Sequence, residues 1–254
     1  MNKYFFILLS SLLFISIASA ETIRIMPLGD SITEDWAFSD STSRRPDSLR
    51  SGYRNYLWYA LKAAKYDVDF VGSHKLGSAI RPIFDIDNEG WAGLKSTEVV
   101  DPGRHPGGFY DRLIWYRPHI ILLHLGTNDW SSSVGGIRSI LNEIDNFEEN
   151  YQFHVKVIVA KIINSREPNS IFSSFNKNLE SLVRQRSADG DDVVLVDMEH
   201  GAGIYYDSRD FQDRIHPNNS GYRKMANVWF NALDKILKHD NYAFLVPVYH
   251  MLLN

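Results

Sequence analysis

Five apolar runs recur along this chain, at 22–28, 68–71, 119–124, 155–160 and 193–197, and each is followed by a stretch of helical period. The third, His119-Ile120-Ile121-Leu122-Leu123-His124, is almost continuously apolar, as a strand buried on both faces must be. Helical spacing follows at 50–65, where Tyr53, Leu57, Ala60, Leu61 and Ala64 share a face, and at 109–116, where Arg117-Pro118 ends it. It returns at 137–149, with Ile137, Ile140, Leu141, Ile144 and Phe147 in one stripe, and again at 171–186 and 220–238. Strands that alternate with helices predict a parallel sheet covered on both faces, because each crossover needs a helix to bring the chain back in the same direction. The fold class is therefore α/β. No internal repeat, charge block or low-complexity linker divides the chain, so one three-layer α/β/α domain is expected.

The chain has 254 residues, enough to bury a core without staples, and no cysteine. Disulfides, thiolate metal sites and a cysteine nucleophile are excluded together. A formal charge of −4 leaves no basic footprint for nucleic acid. Residues 1–20 read as a secretory signal peptide: Lys3 supplies the positive start, Phe5 to Ile17 an apolar run, and Ala18-Ser19-Ala20 a small-residue cleavage site. That run is short for a membrane span. The mature protein, with a formal charge of −5 once Lys3 is lost, is expected to be secreted, without a membrane anchor, and monomeric. Residues 21–240 form the expected domain and 241–254 a tail whose apolar run is expected to dock on it, with a partner-binding strand as the alternative. The stretches 36–49 and 74–108 lack clear periodicity. Both follow the carboxyl ends of strands, where α/β sheets bind ligands.

Three short segments lie at strand ends or before the last helix: Gly29-Asp30-Ser31-Ile32-Thr33, Gly126-Thr127-Asn128-Asp129 and Asp213-Arg214-Ile215-His216-Pro217. Ester hydrolysis by acyl transfer needs a hydroxyl nucleophile, a base, an orienter for the base and donors for the oxyanion. Ser31, His216, Asp213 and Asn128 supply those four types. A carboxylate three residues before a histidine can reach its Nδ1 and leave Nε2 to face the serine. The Ser31 N–H and the Asn128 amide would then serve the oxyanion. Taken singly, Gly29-Asp30-Ser31 is an ordinary turn with a helix cap, and the other two segments are helix starts.

In combination these segments resemble the blocks of the SGNH, or GDSL-type, hydrolase superfamily. Gly29 to Thr33 is similar to its first block, Asn88-Glu89-Gly90-Trp91-Ala92-Gly93 to the second, Gly126 to Asp129 to the third and Asp213 to His216 to the last. The resemblance implies Ser31 as nucleophile, Asp213 and His216 as orienter and base, and an oxyanion hole of Ser31, Gly93 and Asn128. Gly90 is the competing backbone donor. It also implies a flavodoxin-like, five-stranded parallel sheet and no metal or other cofactor. Within the superfamily, Ser51-Gly52-Tyr53-Arg54, Val68 to Ser73 and His216 to Tyr222 resemble carbohydrate esterase family 3, the acetylxylan esterases.

Competing motifs are missing: there is no Gly-x-Ser-x-Gly elbow, phosphate loop or His-Glu-x-x-His. Trp36, Trp91 and Trp130 adjoin the blocks. Trp91 and Trp130 are expected to stack on substrate sugars, with core packing as the alternative. Arg44, Arg45, Arg50 and Arg54 are expected on a solvated loop, with a clamp for an acidic sugar as the alternative. Asn218-Asn219-Ser220 is a formal glycosylation sequon that reads better as a helix cap. The expected function is a secreted serine esterase that removes acetyl groups from plant polysaccharide. Its partner would be an acetylated polysaccharide or another small ester, with neither nucleic acid nor membrane involved. A short-chain lipase, a deacetylase of another glycan and a non-catalytic glycan-binding module are the alternatives.

Overall fold

The computed structural model describes residues 21–37, 44–103 and 108–240; the expected signal segment 1–20 and tail 241–254 lie outside them. In chain order the elements are β1 (Ile23–Gly29), α1 (Ser31–Glu34), α2 (Arg54–Ala63), β2 (Val68–Phe70), β3 (His74–Lys75), β4 (Asp87–Gly90), α3 (Gly108–Tyr116), β5 (Ile120–His124), α4 (Gly135–Tyr151), β6 (Lys156–Ala160), α5 (Ser170–Asp189), β7 (Val193–Val196) and α6 (Asn219–Asp240). No helix among the described residues is long and apolar enough to cross a membrane.

The five expected strands are all present and parallel, in the order β2-β1-β5-β6-β7. Two more come from the stretch that lacks periodicity. β4 runs parallel to β1 and pairs Glu89 with Leu28 and Gly90 with Gly29, while β2 pairs with Ile23 to Ile25 at the other end of the same strand. β3 closes on β4 as an antiparallel pair. The expectation of a long unstructured loop is thus corrected. β4 escapes a hydrophobicity reading because it is Asp87-Asn88-Glu89-Gly90, a polar strand whose Asn88 and Glu89 are fully buried and hydrogen-bonded.

Period-two alternation sorts the central strands onto two cores. Ile121 and Leu123 pack with α3, α4 and α5, whereas Ile120 and Leu122 pack with α2 and α6. The apolar stripe expected on α4, from Ile137 to Phe147, faces the first core. Trp229 of α6 is fully buried in the second. Both faces of the sheet are thus covered by packed helices.

The chain must turn sharply where β1 meets α1. A Cβ on Gly29 would stand 2.3 Å from Thr33 Oγ1 and 2.5 Å from the His124 carbonyl oxygen. Glycine is therefore required there. Asp30 caps α1 by accepting the Ile32 N–H at 2.9 Å, which starts the helix at Ser31 without using the serine hydroxyl.

Candidate active site

Ser31 begins α1 directly beyond β1, and its side chain is almost fully buried. His216 arrives from the turn ahead of α6, 185 residues later, and its Nε2 lies 2.9 Å from Ser31 Oγ. Asp213 Oδ2 stands 2.8 Å from His216 Nδ1, while its Oδ1 accepts the backbone N–H groups of Ile215 and His216 at 2.8 and 2.7 Å. Burial works to raise the Asp213 carboxyl. The hydrogen bonds from His216 and Ile215 outweigh it and hold the group below the usual carboxylate range. The structure thus joins Ser31, His216 and Asp213 in one hydrogen-bonded series.

The segment after β4 is pinned between α1 and the loop after β5. Trp91 N–H donates to the Gly29 carbonyl at 3.0 Å and Ala92 N–H to Glu34 Oε2 at 2.5 Å. Farther on, Asn128 Nδ2 donates to the Leu94 carbonyl at 3.1 Å and Ser96 N–H to Asp129 Oδ1 at 2.8 Å. Gly93 sits in the middle at φ +80°, a left-handed conformation that favours glycine, with open space where a Cβ would point. Gly90 is excluded as an open donor, because its N–H donates to Asn88 Oδ1 at 3.0 Å. Among the described residues, the N–H groups of Ser31 and Gly93 donate to no protein acceptor, and the Asn128 amide keeps a second N–H beyond the one given to Leu94.

Glu34 is a residue the sequence reading missed. It sits three residues past Ser31, is buried, and bridges Arg50 Nη1 at 2.6 Å and the Ala92 N–H. Its only sequence signal is that spacing.

Both expectations for the arginines fail at three of the four positions. Arg50 and Arg54 are 1% and 0% exposed. Arg54 donates to the carbonyls of Thr33, Leu76, Ile86 and Arg50, and burial pushes its guanidinium down to about 10. Arg45 holds both oxygens of buried Asp35 at 2.6 Å and reaches Gln212 Oε1 at 2.9 Å. Gln212 in turn donates its backbone N–H to the His216 carbonyl and its amide to the Pro217 carbonyl. Arg45 therefore braces the Ser31 helix against the His216 turn. Only Arg44 is exposed. Arg45→Met should leave the Asp35 carboxylate buried without its cation and cost about 3 kcal/mol in chemical denaturation. The double variant Arg45→Met/Asp35→Asn should recover part of that loss.

The tryptophans separate. Trp91 donates Nε1–H to Glu89 Oε1 at 2.6 Å, packs on the His74 ring at 4.0 Å and lies 5.2 Å from the Arg112 guanidinium. Its surroundings are those of a packed side chain. Trp130 is 45% exposed at φ +47° and rests on Phe172 at 5.2 Å. It borders an open depression of about 310 Å³ lined also by Ser131, Ser132, Ser170, Ile171 and Ser174. Trp36 places its ring 6.4 Å from that of His216. Asn218 is a cap, as expected: its Oδ1 accepts the Ser220 and Gly221 N–H groups and its Nδ2 donates to the Ser208 and Arg209 carbonyls.

Asp30 carries a pH signature. Complete burial pushes its carboxyl up to about 6, against lowering by the Ile32 N–H and by the charge of His216. The folded value lies above the unfolded 3.8, so the folded protein keeps a proton that the unfolded chain has lost between those limits. The stability from this group is complete below pH 3.8 and lost as pH rises through about 6. Asp30→Asn keeps a capping oxygen without the charge. Denaturation of both proteins should show the variant gaining on wild type by on the order of 3 kcal/mol between pH 4 and 7.

The profile of the GDSL-like lipase/acylhydrolase family matches residues 28–224, which run from the last two residues of β1 through the His216 turn into α6. The chain belongs to that family. It is an esterase with the SGNH hydrolase fold. A family 3 carbohydrate esterase from Clostridium thermocellum superposes with TM-score 0.68 at 26% identity, over 86% of this chain and 98% of that one. A family 3 carbohydrate esterase from Talaromyces cellulolyticus gives TM-score 0.68 and 26% identity over 85% and 99%. A mutant acetyl esterase solved with an acetate ion gives TM-score 0.68 at 25% identity, over 85% and 99%. By sequence, the multidomain esterase of Ruminococcus flavefaciens is 29% identical over 249 residues, which span 87% of this chain and 30% of that protein.

Proposed function

We propose that this esterase is a carbohydrate esterase of the family 3 type that removes acetyl groups from a polysaccharide such as acetylated xylan. The observation that carries the reading is the Ser31–His216–Asp213 series set beside three unengaged N–H groups, on Ser31, Gly93 and Asn128. The family 3 and acetyl esterase likenesses support the acetyl group and the sugar. Residues 1–20 are proposed to direct export and residues 21–240 to form the catalytic domain.

His216 Nε2 takes the Ser31 hydroxyl proton as Oγ attacks the acetyl carbonyl carbon. The negative oxygen that forms accepts hydrogen bonds from the Ser31 and Gly93 backbone and the Asn128 amide, donors already fixed by the protein. Asp213 holds the imidazolium. Collapse breaks the ester C–O bond, His216 gives its proton to the departing sugar oxygen, which leaves as a hydroxyl, and acetyl-Ser31 remains. Water then loses a proton to His216, attacks the acetyl carbon and releases acetate, and Ser31 recovers its proton. The test is acetate release from acetylated xylan alongside a series of activated esters of growing acyl length. Activity falling steeply from acetyl to butyryl supports the reading; preference for long chains would promote the lipase alternative.

Trp130 is the proposed sugar platform, since its exposed indole sits next to the Asn128 loop and stacks only when a polymer is present. Trp130→Ala should lower kcat/KM on acetylated xylan several-fold, about 1 kcal/mol, and spare a small activated acetate ester. Equal losses on both would make Trp130 a packing residue.

A further inference from the structure

An acidic-sugar clamp fails at the arginines near Ser51, but the same chemistry is present on another side of the site. Beyond the carboxyl ends of β6 and β7 lies an open cavity of about 370 Å³, lined by Arg166, Glu167, Tyr206, Asp207 and Arg214. Two loops build it, the one after β6 and the one after β7, and the second includes the His216 turn itself, since Arg214 stands between Asp213 and His216. The Arg166 N–H donates to the Arg214 carbonyl at 2.9 Å, which ties the two arginines together through their backbones. Tyr206 makes a fixed wall: its hydroxyl donates to the Glu199 carbonyl and accepts the Asn164 N–H, and its ring lies 5.7 Å from Phe211.

Charge decides what this cavity suits. Asp207 is held by Arg209, with contacts of 2.6–3.0 Å that bring its carboxyl down to about 2. Glu167 meets Arg214 loosely, at 3.6 Å, with both side chains more than half exposed. Arg166 lines the cavity with Asp207 and its charge helps to lower that carboxyl, but among the described residues it forms no ion pair within 4 Å. Two guanidinium groups thus line one cavity, one carboxylate is already neutralised, the other is weakly engaged, and one positive charge is left over. A lone exposed arginine is ordinarily just solvated. Two arginines joined through their backbones and lining one cavity beside the His216 turn offer the planar, bidentate donors that suit a carboxylate. Arg214 is two residues from His216, which limits their Cα separation to about 7 Å.

We infer that this cavity is a subsite for the carboxylate of a uronic acid unit carried by the polysaccharide next to the acetylated sugar. The inference rests on the proposed deacetylase reading. It assigns Arg166 and Arg214 to substrate choice and leaves the acyl-transfer steps to Ser31, His216 and Asp213.

The test compares an acetylated xylan bearing uronic acid branches with the same polymer after its carboxyl groups are reduced to alcohols. Wild type should show kcat/KM about three- to tenfold higher on the acidic polymer, and the preference should shrink as salt is raised. Arg166→Gln should abolish that preference while leaving a small activated acetate ester unchanged. Equal rates of wild type on the two polymers, or equal losses on both in Arg166→Gln, overturn the subsite. A second arm does not need turnover: calorimetry of the Ser31→Ala variant with uronic and neutral xylo-oligosaccharides. The uronic ligand should bind tighter, and adding Arg166→Gln should remove the difference. Should wild type cleave the small ester but neither polymer, the polysaccharide reading fails, and the binding arm still decides whether the cavity takes a carboxylate.

Discussion

Ser31→Ala should lower esterase activity by about 10⁴-fold or more, and almost entirely in kcat, while the protein stays folded. The size follows from what is removed. Oγ lies 2.9 Å from His216 Nε2, and no acyl-enzyme can form on Ser31 without it. The small structural cost follows from the local geometry. Asp30, not Ser31, caps α1, and among the described residues the hydroxyl's hydrogen bond runs to the His216 ring alone, so denaturation should shift by less than about 1 kcal/mol. A fluorophosphonate probe should label wild type on Ser31 and leave the variant unlabelled. Activity above a few per cent of wild type, or labelling at another residue, would move the nucleophile elsewhere.

Most of this site was open to sequence reading because its parts are local. Asp213 and His216 lie three residues apart, and Gly29 to Thr33 lies at the end of an apolar strand, so short spacing already implies proximity. The rest depends on partners far along the chain. β4 carries no apolar residue, and its burial rests on hydrogen bonds such as those that Ser73 donates to Glu89. Arg45 and Arg50 read as solvated because Asp35 and Glu34, their counter-charges, reach them only after the chain has turned from β1 into α1. Trp91 and Trp130 look alike in sequence; His74 and Arg112 enclose the first, while Phe172 supports the second from one side. What sets Gly90 apart from Gly93 is one hydrogen bond, in which the Gly90 N–H is taken by Asn88, and no spacing in the sequence shows it. Arg166 and Arg214 meet only through the loops after β6 and β7, and no motif joins them.

Asp213→Asn should cost about 10⁴-fold in kcat with the fold intact, and the reason lies in which oxygen does what. Oδ1 accepts two backbone N–H groups, from Ile215 and His216, so the asparagine oxygen stays there. The amide NH₂ is then left facing His216 Nδ1, where Oδ2 stood at 2.8 Å. A donor in that place makes Nδ1 the acceptor and drives the ring proton onto Nε2, facing Ser31 Oγ. The base would be occupied by a proton before the reaction begins. Raising the pH should not restore the rate, because the neutral imidazole itself carries the proton on the wrong nitrogen. Asp207 and Asp210 offer no substitute: Arg209 holds the first, and Lys224 with the Tyr205 N–H holds the second. The measurement is kcat/KM on a small acetate ester from pH 5 to 9, with circular dichroism to confirm the fold. Retention of a tenth or more of wild-type activity, or recovery at high pH, would show that the carboxylate does not set the tautomer of His216.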